Sequence, residues 1–272
     1  MPELPEVETT ACGIKPFLIN QYITGIVIRQ PKLRLPVNPE TDELCRNKKI
    51  TAIYRRAKYI IIQLCQGNLI LHLGMSGHLR MMLEKKQPQK HDHIDLTIDN
   101  GSLLRYTDPR RFGLWLYTAD TLEKHPLLVN LGPEPLSADF NPEYLWRRAF
   151  GKKQNIKSYL MDNTVVVGIG NIYATESLFI AGIHPLSPAG LISLETMDRL
   201  TTAIKNILRQ AIAAGGTTLR DFYAADGKPG YFSFALNVYG RKGEPCLRCT
   251  TTIESMRIAG RNSYFCPRCQ LF

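Results

Sequence analysis

Cys246-Leu-Arg-Cys249 and Cys266-Pro-Arg-Cys269 are two Cys-X-X-Cys pairs with 16 residues between them. This spacing is typical of a four-thiolate zinc site on a small β-ribbon, where each pair supplies two sulfurs from one tight turn. Two disulfides or four free thiols are the alternatives. The first residues are acidic and rich in proline, unlike a secretory leader, so we expect a reducing cytoplasm that disfavours disulfides. The sequence therefore predicts one structural zinc ion, with no open position for catalysis.

The charge of the chain is positive and unevenly distributed. Its 34 Lys and Arg against 24 Asp and Glu give a net charge of +10, and ten basic but only four acidic residues fall in 205–272. Such a surplus favours contacts with the phosphates of a nucleic acid, although a merely solvated basic face is the alternative. No apolar run approaches the roughly 20 residues of a membrane span, so we expect no membrane partner.

The N-terminal segment Met1-Pro-Glu-Leu-Pro-Glu6 suggests an unusual nucleophile. Removal of Met1 would leave Pro2 with a secondary amine, and the reference pKa of an α-amino group is about 7.7–8.0. Attack of this amine on a sugar aldehyde carbon gives an iminium ion, as in Schiff-base catalysis by lysine. Glu3 would place a carboxyl group for proton transfer beside the amine. An ordinary helix start with Pro5 in the first turn is the alternative.

The apolar pattern predicts β structure in the first half of the chain and helices in the second. After an initial helix, short apolar runs predict strands at 22–29, 59–64, 69–73, 94–98 and 103–106, which suggests a sandwich of antiparallel sheets. Cys65 ends one of these runs, and we expect it to fill the core. Helices are predicted from Asn171, as a capping residue, to about Ala181, and from about Leu200 to Ile212.

Three loops carry more polar and exposed side chains than folding requires. Leu73-Gly-Met-Ser-Gly77 places a methionine between glycines, and Asp108-Pro-Arg-Arg-Phe-Gly113 combines two guanidinium groups with a phenylalanine. The second composition is typical of a wedge that enters stacked bases. Val167-Gly-Ile-Gly-Asn-Ile-Tyr173 places backbone amides at a helix N-terminus, where anions bind. A core methionine, a salt-bridged turn and a packing turn are the respective alternatives.

Taken together, these motifs resemble the bacterial formamidopyrimidine-DNA glycosylase family over essentially the whole chain. The motifs that occur in the family's order are Met1-Pro-Glu-Leu-Pro-Glu-Val-Glu-Thr9, Arg55-Arg-Ala-Lys58, His72-Leu-Gly-Met-Ser-Gly77, Lys90-His-Asp-His93, Tyr106-Thr-Asp-Pro-Arg-Arg-Phe-Gly113, Leu131-Gly-Pro-Glu-Pro-Leu136, Gly168-Ile-Gly-Asn-Ile-Tyr-Ala174, Gly215-Gly-Thr-Thr-Leu219, Asp226-Gly-Lys-Pro-Gly-Tyr-Phe232, Val238-Tyr-Gly-Arg241 and the cysteine pairs.

The resemblance implies an α+β chain with several domains. They are an N-terminal antiparallel β-sandwich over 2–134, a helical domain with a helix–two-turns–helix and a lesion-capping loop over 135–237, and a zinc ribbon over 238–272. The implied function is base-excision repair. The enzyme would remove oxidised purines such as 8-oxoguanine from double-stranded DNA and then cleave the strand by β- and δ-elimination. We expect a cytoplasmic, nucleoid-associated monomer that needs no cofactor beyond zinc.

The resemblance also implies roles for individual residues. Pro2 would be the nucleophile, and Glu3 would be the general acid and base. Lys58, on a strand, would donate the proton for elimination. Arg261 would bind the phosphates of the lesion and assist the second elimination. His93 is expected to be structural. The implied contacts to DNA are His91, Arg110, Lys153 and Asn171, with Met75, Arg110 and Phe112 filling the gap left by the flipped lesion. The implied zinc ligands are Cys246, Cys249, Cys266 and Cys269.

Two other functions fit part of the pattern. An endonuclease VIII-like glycosylase for oxidised pyrimidines shares the Pro-Glu start and the zinc ribbon, but Leu4, the continuation Val7-Glu-Thr9 and residues 217–232 argue against it. A zinc-dependent DNA-binding protein without catalysis would explain the charge and the cysteines but not Pro2-Glu3. The sequence departs from the family at Ser233-Phe234-Ala235, where many relatives carry a polar pair before the leucine.

Overall fold

The computed structural model describes residues 2–84, 86–215 and 236–272. These residues form two compact units, one within Met1–Val129 and the other within Asn130–Ala213 and Phe234–Phe272. The predicted capping loop and the sequence departure at 233–235 lie outside the described residues.

The first unit contains two four-stranded antiparallel sheets, with strand orders β1-β6-β7-β5 and β2-β3-β4-β8. Its elements, in chain order, are α1 (Leu4–Leu18), β1 (Ile23–Ile28), α2 (Thr41–Cys45), β2 (Ile50–Arg56), β3 (Tyr59–Leu64), β4 (Asn68–His72), β5 (His78–Met82), β6 (Asp92–Ile98), β7 (Leu103–Thr107) and β8 (Leu114–Thr118).

The core of the first unit is shared by both sheets and by α1. The α1 side chains Val7, Ala11, Ile14 and Leu18 recur at helical spacing and are buried against the strands. Buried isoleucines and leucines from both sheets complete one continuous apolar cluster. This arrangement confirms the predicted antiparallel fold.

The five predicted strands correspond to β1, β3, β4, β6 and β7, whereas β2, β5 and β8 were missed. All three missed strands lie at sheet edges. Edge strands tolerate polar and charged side chains, such as His78 and Arg80 on β5, and these interrupt the apolar pattern. The expectation for Cys65 was wrong, since this residue follows β3 and is exposed.

The second unit begins with α3 (Pro142–Ala149), α4 (Ile156–Leu160), α5 (Asn171–Ala181) and α6 (Leu194–Ala213). Asn141 and Asn155 cap the first two helices by accepting hydrogen bonds from the backbone amides of Tyr144 and Ser158, both at 2.8 Å. Asn171 was predicted to cap α5, but the structure places Gly170 at that position and Asn171 as the first helical residue. The Asn171 side chain is therefore available for other contacts.

The cysteine-containing end of the chain forms the hairpin of β9 (Glu254–Ile258) and β10 (Arg261–Phe265). Its two-residue turn has positive φ at both positions, 47° at Ala259 and 76° at Gly260. Two successive positive φ values are typical of the tight turns that match the twist of antiparallel strands. Arg261 is the first residue after this turn, so the turn fixes where its side chain starts.

Glu176, fully buried in α5, connects the helices to the segment that leads into the hairpin. One carboxylate oxygen accepts hydrogen bonds from the backbone and side-chain amides of Asn237, both at 2.9 Å, and the other from the backbone amides of Val238 at 2.9 Å and Tyr239 at 2.8 Å. A buried charge is stable only when donors surround it, so these four bonds hold the segment against α5.

Within the described residues, no helix is both long and apolar enough to cross a membrane.

We predict that Glu176→Gln lowers the free energy of unfolding by about 2–3 kcal/mol, because its amide group would face donors that require an acceptor. Glu195→Gln is the matched control. Glu195 is an exposed residue of α6 that pairs with Arg199, and a surface pair contributes at most about 1 kcal/mol. Urea unfolding with zinc present would measure both variants. Equal stability of the two variants would contradict the anchoring role of Glu176.

Candidate functional site

Pro2 and Glu3 directly precede α1, and Glu3 is its N-terminal capping residue. Glu3 occupies the capping position, where its backbone amide donates to Glu6 Oε2 at 2.8 Å. Glu3 is only 2% exposed, whereas Pro2 is half-buried. Pro2 is thus next in sequence to a buried glutamate at the positive end of a helix, and the Glu3 side chain itself accepts a hydrogen bond from the Glu6 amide. This is the arrangement that a nucleophilic amine with an adjacent proton-transfer group requires.

Lys58 was expected on a strand, but the structure places it in the two-residue turn between β2 and β3, where it is buried. The positive charge of Lys58 helps to lower the pKa of His72, the last residue of β4. Burial lowers the pKa of His72 to about 4, and the charges of Arg34 and Lys58 lower it too. Since His72 Nδ1 accepts a hydrogen bond from the Gly74 amide at 2.9 Å, the neutral ring carries its proton on Nε2.

His72 was missed by the sequence analysis, although it starts the motif that contains Met75. A neutral donor beside two cations is suited to an anionic ligand such as a phosphate. Because its pKa lies near 4, the imidazole remains a neutral donor throughout the physiological range of pH.

The two loops singled out as a wedge expose their apolar side chains, as predicted. Met75 is 41% and Phe112 is 48% exposed. The Arg110 guanidinium carbon lies 4.9 Å from the centroid of the Phe112 ring, a cation–π contact that keeps the two side chains together. An exposed aromatic ring covered by an arginine has no role in the core and is free to contact a ligand.

The remaining predicted DNA contacts lie at several places along the chain. His91 is half-buried just before β6 in the first unit. In the second unit, Lys153 is exposed in the loop between α3 and α4, and Arg261 is exposed at the start of β10. A groove of about 310 Å³ between α4 and the hairpin turn includes Arg261 among its lining residues.

Asn171 is held by Lys157, a buried residue of α4 that the sequence analysis missed. Lys157 Nζ donates to Asn171 Oδ1 at 2.6 Å and to Ser263 Oγ of β10 at 2.5 Å. Asn171 Nδ2 in turn donates to the carbonyl of Asn262 at 3.0 Å. These bonds connect the N-terminus of α5 to the strand that begins with Arg261. No local sequence pattern signals this role, because the partners of Lys157 lie up to 106 residues away.

The four predicted zinc ligands form one cluster. All four sulfurs lie within 4.8 Å of one another. The sulfur–sulfur distances are 3.4 Å for Cys249–Cys266 and Cys249–Cys269 and 3.9 Å for Cys246–Cys269. A tetrahedral site with zinc–sulfur bonds of about 2.3 Å requires sulfurs about 3.8 Å apart, so the cluster fits the ion.

Backbone amides support the thiolates of this cluster. The amide of Arg248 donates to Cys246 Sγ, and that of Cys269 donates to Cys266 Sγ, both at 3.4 Å. Hydrogen bonds from backbone amides favour the charged form of sulfur that zinc requires. Since cysteine supplies all four positions, the zinc is structural.

Comparisons with known proteins agree with this architecture. The formamidopyrimidine-DNA glycosylase N-terminal domain matches residues 1–115, the H2TH domain of the same glycosylase matches 131–223, and a zinc finger found in FPG and IleRS matches 243–271. Formamidopyrimidine-DNA glycosylase of Legionella pneumophila subsp. pneumophila is 61% identical over 270 residues, which are 99% of this chain and 98% of the relative.

Solved structures with bound DNA are also similar. The complex between Lactococcus lactis Fpg and DNA containing an abasic site aligns with a TM-score of 0.91 and 34% identity, over 99% of this chain and 100% of the other. MutM in complex with DNA containing carbocyclic 8-oxo-G aligns with a TM-score of 0.89 and 34% identity, over the full length of both.

The architecture, the Pro2-Glu3 pair and the zinc site define a zinc-containing DNA repair glycosylase. This chain belongs to the formamidopyrimidine-DNA glycosylase family. The resemblance inferred from the motifs is confirmed, and the endonuclease VIII-like and non-catalytic alternatives are set aside.

We predict that Cys249→Ser loses zinc and destabilises the β9–β10 hairpin, because metal binding and folding of such a site are coupled. Elemental analysis would measure the zinc content, and urea unfolding the stability. Cys65→Ser is the matched control, since Cys65 is exposed and lies outside the cluster. If Cys249→Ser retained one zinc per chain and normal stability, Cys249 would not be a structural ligand.

Proposed function

We propose that this chain excises oxidised purines, among them 8-oxoguanine and formamidopyrimidines, from double-stranded DNA and then cleaves the strand at the abasic site. The observation that carries this proposal is the position of Pro2 beside the buried Glu3 at the start of α1. Such a pair supplies a nucleophilic amine and a proton-transfer group together, which a DNA-binding protein without catalysis does not need.

The reaction starts after Met1 is removed. The Pro2 amine attacks C1′ of the damaged nucleotide, the bond from C1′ to the base breaks, and Glu3 transfers a proton to the departing base. Ring opening of the sugar leaves a cationic iminium between Pro2 and C1′. The iminium acidifies the C2′ proton, which the Glu3 carboxylate accepts as β-elimination breaks the bond from C3′ to its phosphate oxygen. Loss of the C4′ proton to water then allows δ-elimination to break the bond from C5′ to its phosphate oxygen. Lys58 supplies the proton for elimination, and Arg261 assists the second step. Hydrolysis of the iminium returns the Pro2 amine.

Access to C1′ requires the damaged nucleotide to leave the base stack, which costs a few kcal/mol of stacking and pairing. Met75 and Phe112 occupy the space vacated by the lesion and recover part of this cost. Arg110 faces the opposite base, where its guanidinium donors suit the acceptor edge of cytosine. Insertion of side chains from exposed loops explains why these residues contribute so little to the core.

Contacts with phosphates hold the distorted strand. His91, Lys153 and Asn171 bind the DNA backbone, and Arg261 grips the phosphates at the lesion. The neutral His72 beside Arg34 and Lys58 is a further donor for this purpose. Zinc supports the hairpin that carries Arg261 and takes no part in the reaction. The protein acts as a monomer, in the cytoplasm and on the nucleoid, with no cofactor beyond zinc.

We predict that Phe112→Ala slows excision of 8-oxoguanine while the free energy of unfolding changes by less than about 1 kcal/mol, as for a surface residue. A fluorescent base analogue beside the lesion would report extrusion directly. Phe150→Ala is the matched control, because Phe150 is another exposed phenylalanine, in the second unit. Unfolding of the Phe112 variant would mean that the ring belongs to the core and is no wedge.

The sharpest prediction concerns the N-terminal nitrogen. With Met1 or a tag attached, the Pro2 nitrogen is a tertiary amide whose lone pair is delocalised, so it cannot attack C1′. The phosphate contacts remain, so binding of lesion DNA should largely survive. We expect the processed chain to form a borohydride-trapped adduct with 8-oxoguanine DNA and the blocked chain to bind without trapping.

Mass spectrometry should place the adduct on Pro2. A processed Lys58→Ala chain serves as the control, and it should still trap because its amine is intact. A blocked chain that trapped at full yield would show that a lysine is the nucleophile.

A further inference from the structure

Asp108 directly follows β7 and is completely buried. Its carboxylate accepts four hydrogen bonds. Oδ1 accepts from Ser76 Oγ at 2.8 Å and from the Arg110 amide at 3.2 Å. Oδ2 accepts from the Gly113 amide at 2.8 Å and from the Tyr106 hydroxyl at 3.2 Å. A carboxylate has about four acceptor positions, so the environment of Asp108 satisfies this group fully.

The donors to Asp108 lie beside the side chains that enter DNA in the proposed function. Ser76 follows Met75, the second donor is the amide of Arg110 itself, and Gly113 follows Phe112. One carboxylate therefore bonds the Ser76 side chain beside Met75 and the backbone beside Arg110 and Phe112, which lie in two separate loops. Arg110 and Ser76 are also joined directly, since the Arg110 amide donates to Ser76 Oγ at 3.2 Å.

Close backbone packing leaves the two loops little room to move independently. A Cβ atom on Gly74 would lie 2.5 Å from the Gly113 nitrogen, and one on Gly113 would lie 1.6 Å from the Tyr106 hydroxyl. Both distances are shorter than any real contact of a Cβ atom. Only glycine allows the loops to approach this closely.

The main chain of Asp108 also reaches a fourth proposed DNA contact, His91. Its amide donates to the carbonyl of His91 at 3.1 Å, and its carbonyl oxygen accepts from His93 Nε2 at 2.8 Å. Since a carbonyl can only accept, the His93 ring carries a proton on Nε2. His93 thus acts through Asp108, in agreement with its expected structural role.

We propose that Asp108 is the positioning residue of the wedge, holding Met75, Arg110 and Phe112 in one fixed arrangement before DNA binds. The inference rests on the proposed role of those three side chains. Its physical advantage is preorganisation, because loops that are already ordered lose less conformational entropy on insertion into the duplex. Asp108 affects extrusion of the lesion and takes no part in the reaction of Pro2 with the sugar.

Asp108→Ala tests this proposal on the processed, zinc-containing chain. We expect excision of 8-oxoguanine to fall roughly 10- to 100-fold, as for displaced positioning groups. Cleavage of DNA that already contains an abasic site should fall much less, because no damaged base has to be extruded. A purely structural role would lower both activities equally through the folded fraction. Asp99→Asn is the control and should change neither activity. Asp99 is an exposed residue directly after β6, whereas Asp108 contacts residues at the start of that strand.

A double-mutant cycle with Phe112→Ala separates the two proposals. If Asp108 acts through the wedge, the double variant should excise 8-oxoguanine no more slowly than the slower single variant. Additive losses, or equal losses of both activities in Asp108→Ala, would overturn the role of Asp108 while leaving the wedge intact. If Phe112→Ala alone excised normally, the wedge itself would be wrong.

Ser76→Ala keeps the test decisive if Asp108→Ala does not fold. This change removes the bond from Ser76 Oγ to Oδ1 and the bond from the Arg110 amide to Ser76 Oγ. It leaves the bonds that Asp108 accepts from the Arg110 and Gly113 amides and from the Tyr106 hydroxyl. We expect a smaller loss of excision than for Asp108→Ala, with cleavage at an abasic site unchanged. Normal excision by Ser76→Ala would contradict coupling of the two loops through this carboxylate.

Discussion

A buried carboxylate must be surrounded by N–H and O–H donors, and each unit of this chain contains such a group. Asp108 accepts from two loops and from Tyr106 in the first unit. Glu176 accepts from three consecutive residues in the second. Because every donor must reach the same two oxygens, irregular segments acquire one conformation. The exposed side chains beside them gain fixed positions that loops alone would not provide.

Two ionisable groups of the first unit, the Pro2 amine and the His72 imidazole, need different environments for their proposed roles. After removal of Met1, the proposed Pro2 amine needs an ordinary α-amino pKa in order to be unprotonated near neutral pH. His72 is kept neutral by burial and by the charges of Arg34 and Lys58, which hold its pKa at about 4. A positive charge on the imidazole would add repulsion to this cluster without adding a donor at Nε2. His72 therefore stays a neutral donor beside two permanent cations, a combination suited to the phosphate contact proposed for it.

The sequence revealed groups whose chemistry is encoded in residue type and spacing, such as the cysteine pairs and the Pro2-Glu3 start. The central strands β3, β4, β6 and β7 and the edge strand β1 were predicted from their apolar runs, whereas the edge strands β2, β5 and β8 were not. Asp108, Lys157 and Glu176 were missed because each depends on partners distant in sequence, as with Lys157 and Ser263. Lys58 was assigned to a strand because the two-residue turn Ala57-Lys58 contains no glycine, asparagine or proline that would mark a turn in the sequence. Pairing between remote residues, which no local pattern encodes, decides these positions.

The position of Arg261 connects the zinc site to a residue with a proposed role in the reaction. An isolated hairpin of two five-residue strands is marginally stable at best in water. Structural zinc contributes about 10–16 kcal/mol to the folding of small thiolate sites, which is ample for such a ribbon. Lys157 then connects β10 to the start of α5 through Ser263 and Asn171. Loss of the metal would therefore disturb Arg261 directly and Asn171 through Lys157, so two proposed phosphate contacts depend on the four zinc-binding sulfurs.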